Sequence, residues 1–171
     1  MRSTRSLRWT VVVVSVAVLA VAGLFVAGVG PFAPPEADDY ERTTVTVLGD
    51  SDEIATVDVR VADTFQKRYV GLSNTESLER GEGMLFVHDS AGQHTYVMRN
   101  MDFPLDIIFI APNGTITTIH HAPLEPDTTE DDLTPYRGSG KYILEVPFGY
   151  TNETGVETGH RVRIQGRWSP E

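Results

Sequence analysis

The chain has 171 residues, a formal net charge of −10 and no cysteine, so disulfide bonds, a thiol nucleophile and a lipid-modified cysteine anchor are excluded within this sequence. All 24 acidic residues and 11 of the 14 basic residues follow residue 35, giving that part a formal charge of −13. Nucleic acid is therefore not expected as a partner, because binding phosphates needs a basic surface.

The N-terminal region has the composition of a membrane segment. No charged residue lies between Trp9 and Pro35, and residues 10–30 are long enough as a helix to cross a hydrocarbon layer of about 30 Å. Basic residues in 1–9 precede this segment and acidic residues follow it, so the positive-inside rule predicts a cytoplasmic N-terminus and an extracellular C-terminal domain. A cleaved signal peptide is the competing interpretation, although its apolar region is normally only about 7–15 residues long. We predict an uncleaved signal-anchor at 10–30 in a single-pass protein of the cell membrane.

The residues after the predicted signal-anchor are expected to form a linker followed by a domain. Residues 31–42 combine prolines with acidic residues, which is typical of a short stiff linker. Residues 43–168 are predicted to form one extracytoplasmic β domain. The domain begins with β-branched alternation on both sides of residues 49–52, which predicts a β-hairpin.

A change of period follows this hairpin and predicts a short helix. Asp63 or Thr64 is the candidate N-cap, and Phe65, Tyr69 and Leu72 follow at helical spacing.

Six later segments have the composition of β-strands: residues 84–88, 95–101, 105–111, 115–121, 141–146 and 160–166. Pro112-Asn113-Gly114 predicts a turn between two of them, and the acidic stretch 124–140 predicts an exposed loop. The fold class is therefore predicted as mainly β, a small antiparallel β-barrel or sandwich with one or two short helices, preceded by a transmembrane helix.

Five blocks of the sequence resemble a known family. In the order RYVGLSNTESLERGEGMLFV, YVMRNMDFPLDIIFI, NGTI, KYILEVPFG and TGHRV, they resemble the uncharacterised bacterial and archaeal family called domain of unknown function 192, over about residues 45–165. The resemblance implies a small, mainly β domain that is often exported or membrane-anchored, with no established activity and no catalytic residues. Val97 stands where the family usually has tryptophan, so a ligand-stacking role of that tryptophan would be lost here.

Four charged residues inside these blocks admit two interpretations: Arg68, Arg99, Asp106 and Glu145. In the first, the arginines hold an anionic ligand in a cleft, and Asp106 or Glu145 acts as acid or base with its pKa raised by burial. In the second, Asp106 or Glu145 pairs with an arginine and only stabilises the fold. We favour the second for Asp106. Polar neighbours extend the candidate ligand-binding set, which is Arg68, Arg99, Asn100, Asp106, Tyr136, Ser139 and Glu145.

No metal site or cofactor is predicted. His120 and His121 are adjacent, so on a strand they point to opposite faces, and the other histidines lack ligand spacing. Asn113 and Asn152 begin N-x-T triplets and are hypothetical glycosylation sites. Only two of the basic residues are lysines, and this acidic, lysine-poor composition suggests a protein that folds in concentrated salt.

The predicted function is a membrane-anchored module of the cell envelope that binds a small ligand or a partner protein. One alternative is a hydrolase of envelope carbohydrate or peptide with Asp106 and Glu145 as paired carboxylates. Another is a structural component of an envelope complex.

Overall fold

The computed structural model of the protein describes residues 34–50 and 52–170. The predicted signal-anchor at 10–30 and the basic N-terminus lie outside these residues. In the part of the chain that is described, no helix has the length and apolar character needed to cross a bilayer.

The described residues form a mainly β domain with two short helices. Helix α1 is Phe65–Val70 and helix α2 is Tyr150–Thr154. The strands are β1 Glu41–Leu48, β2 Glu53–Ala62, β3 Glu82–Tyr96, β4 Leu105–Ile110, β5 Ile116–Ala122, β6 Tyr136–Pro147 and β7 Arg161–Ile164. The predicted hairpin is confirmed, because β1 and β2 pair antiparallel.

All seven of these strands belong to one curled sheet, in the order β5-β4-β6-β3-β2-β1-β7. Its two edges meet at one end, where Thr115 bridges Arg161 and the Val162 N–H donates to the Gly114 carbonyl at 2.7 Å. The predicted mainly β, barrel-like fold with short helices is thus confirmed, in the form of a half-closed barrel. Pairing the edges protects backbone groups that an open sheet would leave free.

The prediction of a wholly antiparallel sheet is wrong at one place. Strands β2 and β3 pair in parallel, from Asp58 opposite Glu82 to Ala62 opposite Phe86. Parallel neighbours need a long crossover, and residues 63–81, which contain α1, supply it.

Helix α1 has the predicted cap, and only one of the three apolar residues at helical spacing is buried. The Thr64 hydroxyl accepts from the Lys67 N–H at 3.2 Å, and the helix ends at Gly71 with a φ of +53°. Leu72 is buried, whereas Phe65 and Tyr69 are 78% and 58% exposed. The helix is too short to cover the sheet with all three side chains.

Two predicted boundaries are also wrong. Strand β3 ends at Tyr96, so residues 97–101 form a loop and not a strand. Strand β6 begins at Tyr136, inside the predicted acidic loop. Gly138 allows this extension because a Cβ at its position would lie 2.4–2.7 Å from the Phe109 ring of the neighbouring strand. Glycine here serves close packing of strands, although in sequence it suggested a loop.

The sheet is buried on both faces along β4, whose six residues are all buried. One hydrophobic cluster includes Leu85, Ile108 and Leu144, and the other includes Phe86 and Ile107. Alternating residues of the same strands supply the two clusters, as the pleat requires. This double burial explains why β4 has a continuous apolar sequence interrupted only by Asp106.

Candidate functional site

Asp106 lies at the start of β4 with no exposed surface and is fully hydrogen-bonded. One carboxylate oxygen accepts from His121 Nδ1 at 2.7 Å and from the Gly149 N–H at 3.1 Å. The other accepts from the N–H and the hydroxyl of Thr151 at 2.9 and 2.7 Å. The predicted arginine partner is therefore wrong: β5 and the first turn of α2 supply the donors that a buried carboxylate needs.

Asp106 and Glu145 point to opposite faces of the sheet. Glu145 lies opposite Ile107 in the pairing of β6 with β4, whereas Asp106 lies opposite Val146. Paired residues share a face and successive residues alternate, so the two carboxylates belong to different environments. The paired-carboxylate arrangement required by the hydrolase alternative is wrong for these two residues.

Glu145 faces a cavity of about 400 Å³ between α1, β3 and the loop that follows β3. Its wall is mostly apolar and aromatic and includes Phe65, Tyr69, Leu72, Phe86, Val97, Met98, Met101 and Leu105. Polar groups on the wall are Arg68, Ser73, His88, His94, Tyr96, Arg99 and Glu145. A concave apolar site with a few convergent polar groups is typical of ligand pockets.

Glu145 supplies the acidic group of this cavity wall. The residue is only 6% exposed, and its side chain has no hydrogen-bond or ion-pair partner among residues 34–50 and 52–170. Burial raises the pKa of Glu145 from its ordinary value of 4.5 to about 8. This carboxyl is therefore mostly protonated at neutral pH.

Two histidines and a tyrosine form the polar part of the β3 wall. The His88 and His94 rings stack with centroids 3.6 Å apart, and His88 Nε2 lies 3.0 Å from the Tyr96 hydroxyl. Burial, then the neighbouring His94 and Arg68, lowers the pKa of His88 to about 4. The Nε2 atom of His94 is buried without a hydrogen-bond partner in the described part of the chain.

The arginines differ in how firmly they are held. Arg68 donates through one terminal nitrogen to the carbonyls of Asp63 and Val87, at 2.9 and 2.7 Å. The Arg99 guanidinium stacks over the Tyr69 ring at 4.0 Å and forms an ion pair with Glu130 at 3.2 Å. Arg99 also donates to the Tyr69 carbonyl. Arg99 thus ties the loop after β3 to α1, and no carboxylate of the described residues pairs with Arg68.

Three of the seven predicted ligand-binding residues line this cavity: Arg68, Arg99 and Glu145. Asn100 lines a second concavity of about 230 Å³ with Arg99 and Glu130, and has a φ of +51°. Tyr136 and Ser139 lie earlier on β6, opposite Tyr96 and Gln93. Together with Asp106, these residues are not in the wall of the main cavity.

The sequence-based set omitted His88, His94 and Tyr96. These three residues are separated by even numbers of residues, which would have indicated one common face of a single strand. The sequence analysis predicted two separate strands here, so the common face was not recognised.

In residues 34–50 and 52–170, no three His, Asp or Glu side chains come close enough together to hold a metal ion. Asn113 and Asn152 are exposed, and Asn113 Oδ1 accepts from the Thr115 N–H at 3.0 Å.

The family is decided by a match over most of the domain. Residues 46–164 match the model of DUF192, described as "Uncharacterized ACR". The chain belongs to the DUF192 family. No curated protein matches it.

Two solved structures resemble this DUF192 domain. One is a putative transcription regulator from Sinorhizobium meliloti 1021, 27% identical, with a TM-score of 0.65 over 73% of this chain and 95% of that chain. The other is a protein of unknown function from Novosphingobium aromaticivorans DSM 12444, also 27% identical, with a TM-score of 0.67 over 77% and 91%. The curled sheet is thus shared with both proteins.

One position that departs from the DUF192 pattern, Val97, lies on the cavity. Val97, which stands where the family resemblance implies tryptophan, is 39% exposed and lines the cavity wall. A smaller side chain at this position leaves the cavity more accessible than an indole would.

Proposed function

We propose that this DUF192 protein is a membrane-anchored module of the cell envelope that binds a small ligand in the cavity next to Glu145. The apolar segment 10–30 and the arginines before it support the anchored, outward-facing arrangement. The cavity volume of about 400 Å³ lies within the range of about 300–1,000 Å³ that is common for ligand sites.

The observation that carries the proposal is the Glu145 carboxyl. A buried polar group without a partner costs free energy, and such groups are rare in folded proteins. Glu145 is 6% exposed as a residue and lines the cavity, so a ligand there can supply the hydrogen bond that no described residue gives its carboxyl. The apolar wall then removes the rest of the ligand from water.

Two other functions receive less support. A hydrolase with paired carboxylates needs both groups on one side of the substrate, and Asp106 and Glu145 lie on opposite faces of the sheet. Nucleic-acid regulation, which the description of the Sinorhizobium meliloti protein raises, does not suit residues 36–171, whose formal charge is −13.

Methionine methyl groups offer a direct test of binding in the cavity. The sequence has only four methionines; Met98 and Met101 line the cavity and also the smaller concavity at Asn100, and Met84 is buried in the core without lining either. We would label the methyl groups of the full chain in detergent micelles and screen small anionic, cationic, zwitterionic and neutral compounds by NMR. We expect saturable shifts of Met98 and Met101 with a much smaller change at Met84.

A pair of tryptophan variants locates the binding. Val97→Trp places an indole at the exposed wall of the cavity and should abolish the shifts, whereas Phe148→Trp, at an exposed position outside the cavity, should preserve them. A complete screen without a saturable shift of Met98 or Met101 would refute ligand binding at this site.

A further inference from the structure

We infer that the ligand is a small zwitterion with an apolar side chain, of the size of a hydrophobic amino acid, which places its ammonium group at Glu145 and its carboxylate at Arg68. This inference rests on the proposed function, because it names the class of ligand for the same cavity.

The first support is that a carboxyl and a guanidinium line one cavity without a hydrogen bond or ion pair between them. No hydrogen bond or ion pair joins Glu145 to Arg68 or to another described residue. Arg68 uses one terminal nitrogen on the carbonyls of Asp63 and Val87, which position the guanidinium but leave its charge unpaired. A ligand carboxylate would pair with the Arg68 guanidinium, and a ligand ammonium group beside Glu145 would favour the ionised form of that carboxyl.

The second support is the spacing of the two charges. Glu145 lies opposite Met84 in the pairing of β6 with β3, and Arg68 donates to the carbonyl of Val87, three residues further along β3. Three residues of a strand span about 10 Å, so the two groups lie along one short stretch of the wall. One small molecule, and not two separate ligands, suits that spacing.

The third support is the apolar character of the rest of the cavity wall. Leu72, Phe86, Met98 and Leu105 are buried side chains on the cavity, and their apolar surfaces offer no partner for further polar groups. Phe65 and Tyr69 stack with ring centroids 6.2 Å apart at the exposed part of the wall. An apolar side chain on the ligand would gain about 25 cal/mol for each Å² that it buries there.

Charge pairing at Glu145 makes binding dependent on pH. The carboxyl must ionise to pair with an ammonium group, and burial raises its pKa to about 8, so the affinity should rise with pH up to that value. The other titratable and charged groups that line the cavity are Arg68, Tyr69, His88, His94, Tyr96 and Arg99. His88, with a pKa lowered to about 4, stays neutral at higher pH, and the raised pKa of Tyr96 keeps its phenol neutral.

We would titrate the full chain with L-phenylalanine and two matched analogues, N-acetyl-L-phenylalanine without the ammonium group and L-phenylalaninamide without the carboxylate. The Met98 and Met101 methyl signals report binding, and the Met84 signal reports the integrity of the core. We expect the amino acid to bind at least roughly tenfold more tightly than either analogue. Between about pH 6 and about pH 8 its affinity should rise by up to about tenfold per pH unit.

Three variants assign these effects to single groups. Glu145→Gln should weaken phenylalanine binding and abolish the rise with pH, and Asp131→Asn, in an exposed turn outside the cavity, should preserve both. Arg68→Gln should weaken phenylalanine and its N-acetyl analogue, but not the amide. These conservative changes retain hydrogen-bonding capacity, and an unchanged Met84 signal shows that the variant is folded.

The outcomes separate this inference from the proposed function. Equal affinity for phenylalanine and N-acetylphenylalanine, or an affinity that falls with rising pH, would overturn the zwitterion while leaving a ligand cavity in place. The proposed function itself fails only when no compound of the wider screen shifts Met98 and Met101.

Discussion

The N–H and the hydroxyl of Thr151 both donate to the same carboxylate oxygen of Asp106, at 2.9 and 2.7 Å. The other oxygen accepts from His121 Nδ1 and the Gly149 N–H. One buried side chain of β4 thus holds the neighbouring strand β5 and the start of α2. The acid in the most apolar strand is a structural element of the domain, separate from the cavity at Glu145.

Removing the Asp106 carboxylate should destabilise the domain strongly. Asp106→Ala leaves the buried N–H and hydroxyl of Thr151 without an acceptor, and we expect the free energy of unfolding to fall by about 3 kcal/mol or more. Urea unfolding followed by circular dichroism measures this change. Asp131→Asn, in an exposed turn, is the control and should stay within about 0.5 kcal/mol of wild type. Equal stability of Asp106→Ala and wild type would show that these hydrogen bonds contribute nothing.

The Glu145 carboxyl should make stability depend on pH. Its pKa is about 8 in the folded state and 4.5 as the ordinary value, so the folded state binds more protons between those pH values. The stability that Glu145 contributes is complete below about pH 4.5 and is lost as the pH rises through about 8. Unfolding of wild type and Glu145→Gln across this range tests the sign. The advantage of the variant should grow to several kcal/mol and then level off above about pH 8; a constant difference would contradict a raised pKa.

Substitution by alanine should destabilise the domain at Gly138 but not at Gly92. A Cβ at Gly138 would meet the Phe109 ring within 2.7 Å, whereas the nearest atom to a Cβ at Gly92 is His94 Nε2 at 3.9 Å. We expect Gly138→Ala to lower the free energy of unfolding by about 1–3 kcal/mol, because the ring must shift in a packed core. Gly92→Ala should be neutral or slightly stabilising. Thermal melts of the two variants check the contrast, and equal melting temperatures would rule out close packing at Gly138.

Salt should stabilise the domain. Residues 36–171 carry a formal charge of −13 with only two lysines, and self-repulsion of this kind is screened within about 3 Å in molar salt. We expect the melting temperature of the full chain to rise steadily from dilute buffer to molar KCl. A melting temperature that is the same or higher in dilute buffer would count against the proposed adaptation to salt.

Much of the fold could be predicted because it depends on local signals. The hairpin around residues 49–52, the Thr64 cap and the turn at Asn113 follow from side-chain alternation, a capping hydroxyl and turn chemistry, all of which act over a few residues. The parallel pairing of β2 with β3 was missed. It depends on where a crossover of 19 residues, 63–81, returns to the sheet, and no local pattern records this.

The sequence analysis identified only part of the candidate site, because some of its contacts join residues that are far apart in the chain. Arg68, Arg99 and Glu145 stood out as charges within apolar blocks, and they line one cavity. Asp106 stood out equally, but its partners are two backbone N–H groups, a hydroxyl and a histidine, none of which a charge pattern reveals. Sequence indicated that this acid needs donors; only the placement of α2 and β5 beside β4 selected them.

Composition and alternation by themselves determined an acidic, cysteine-free, mainly β domain and the burial of β4, since burial preferences are properties of each side chain. The tertiary structure decided which face of the sheet each carboxylate occupies and which of them retains a partner. That choice follows from register: shifting β4 by one residue against β6 would place Asp106 on the same face as Glu145 without changing a single letter of the sequence.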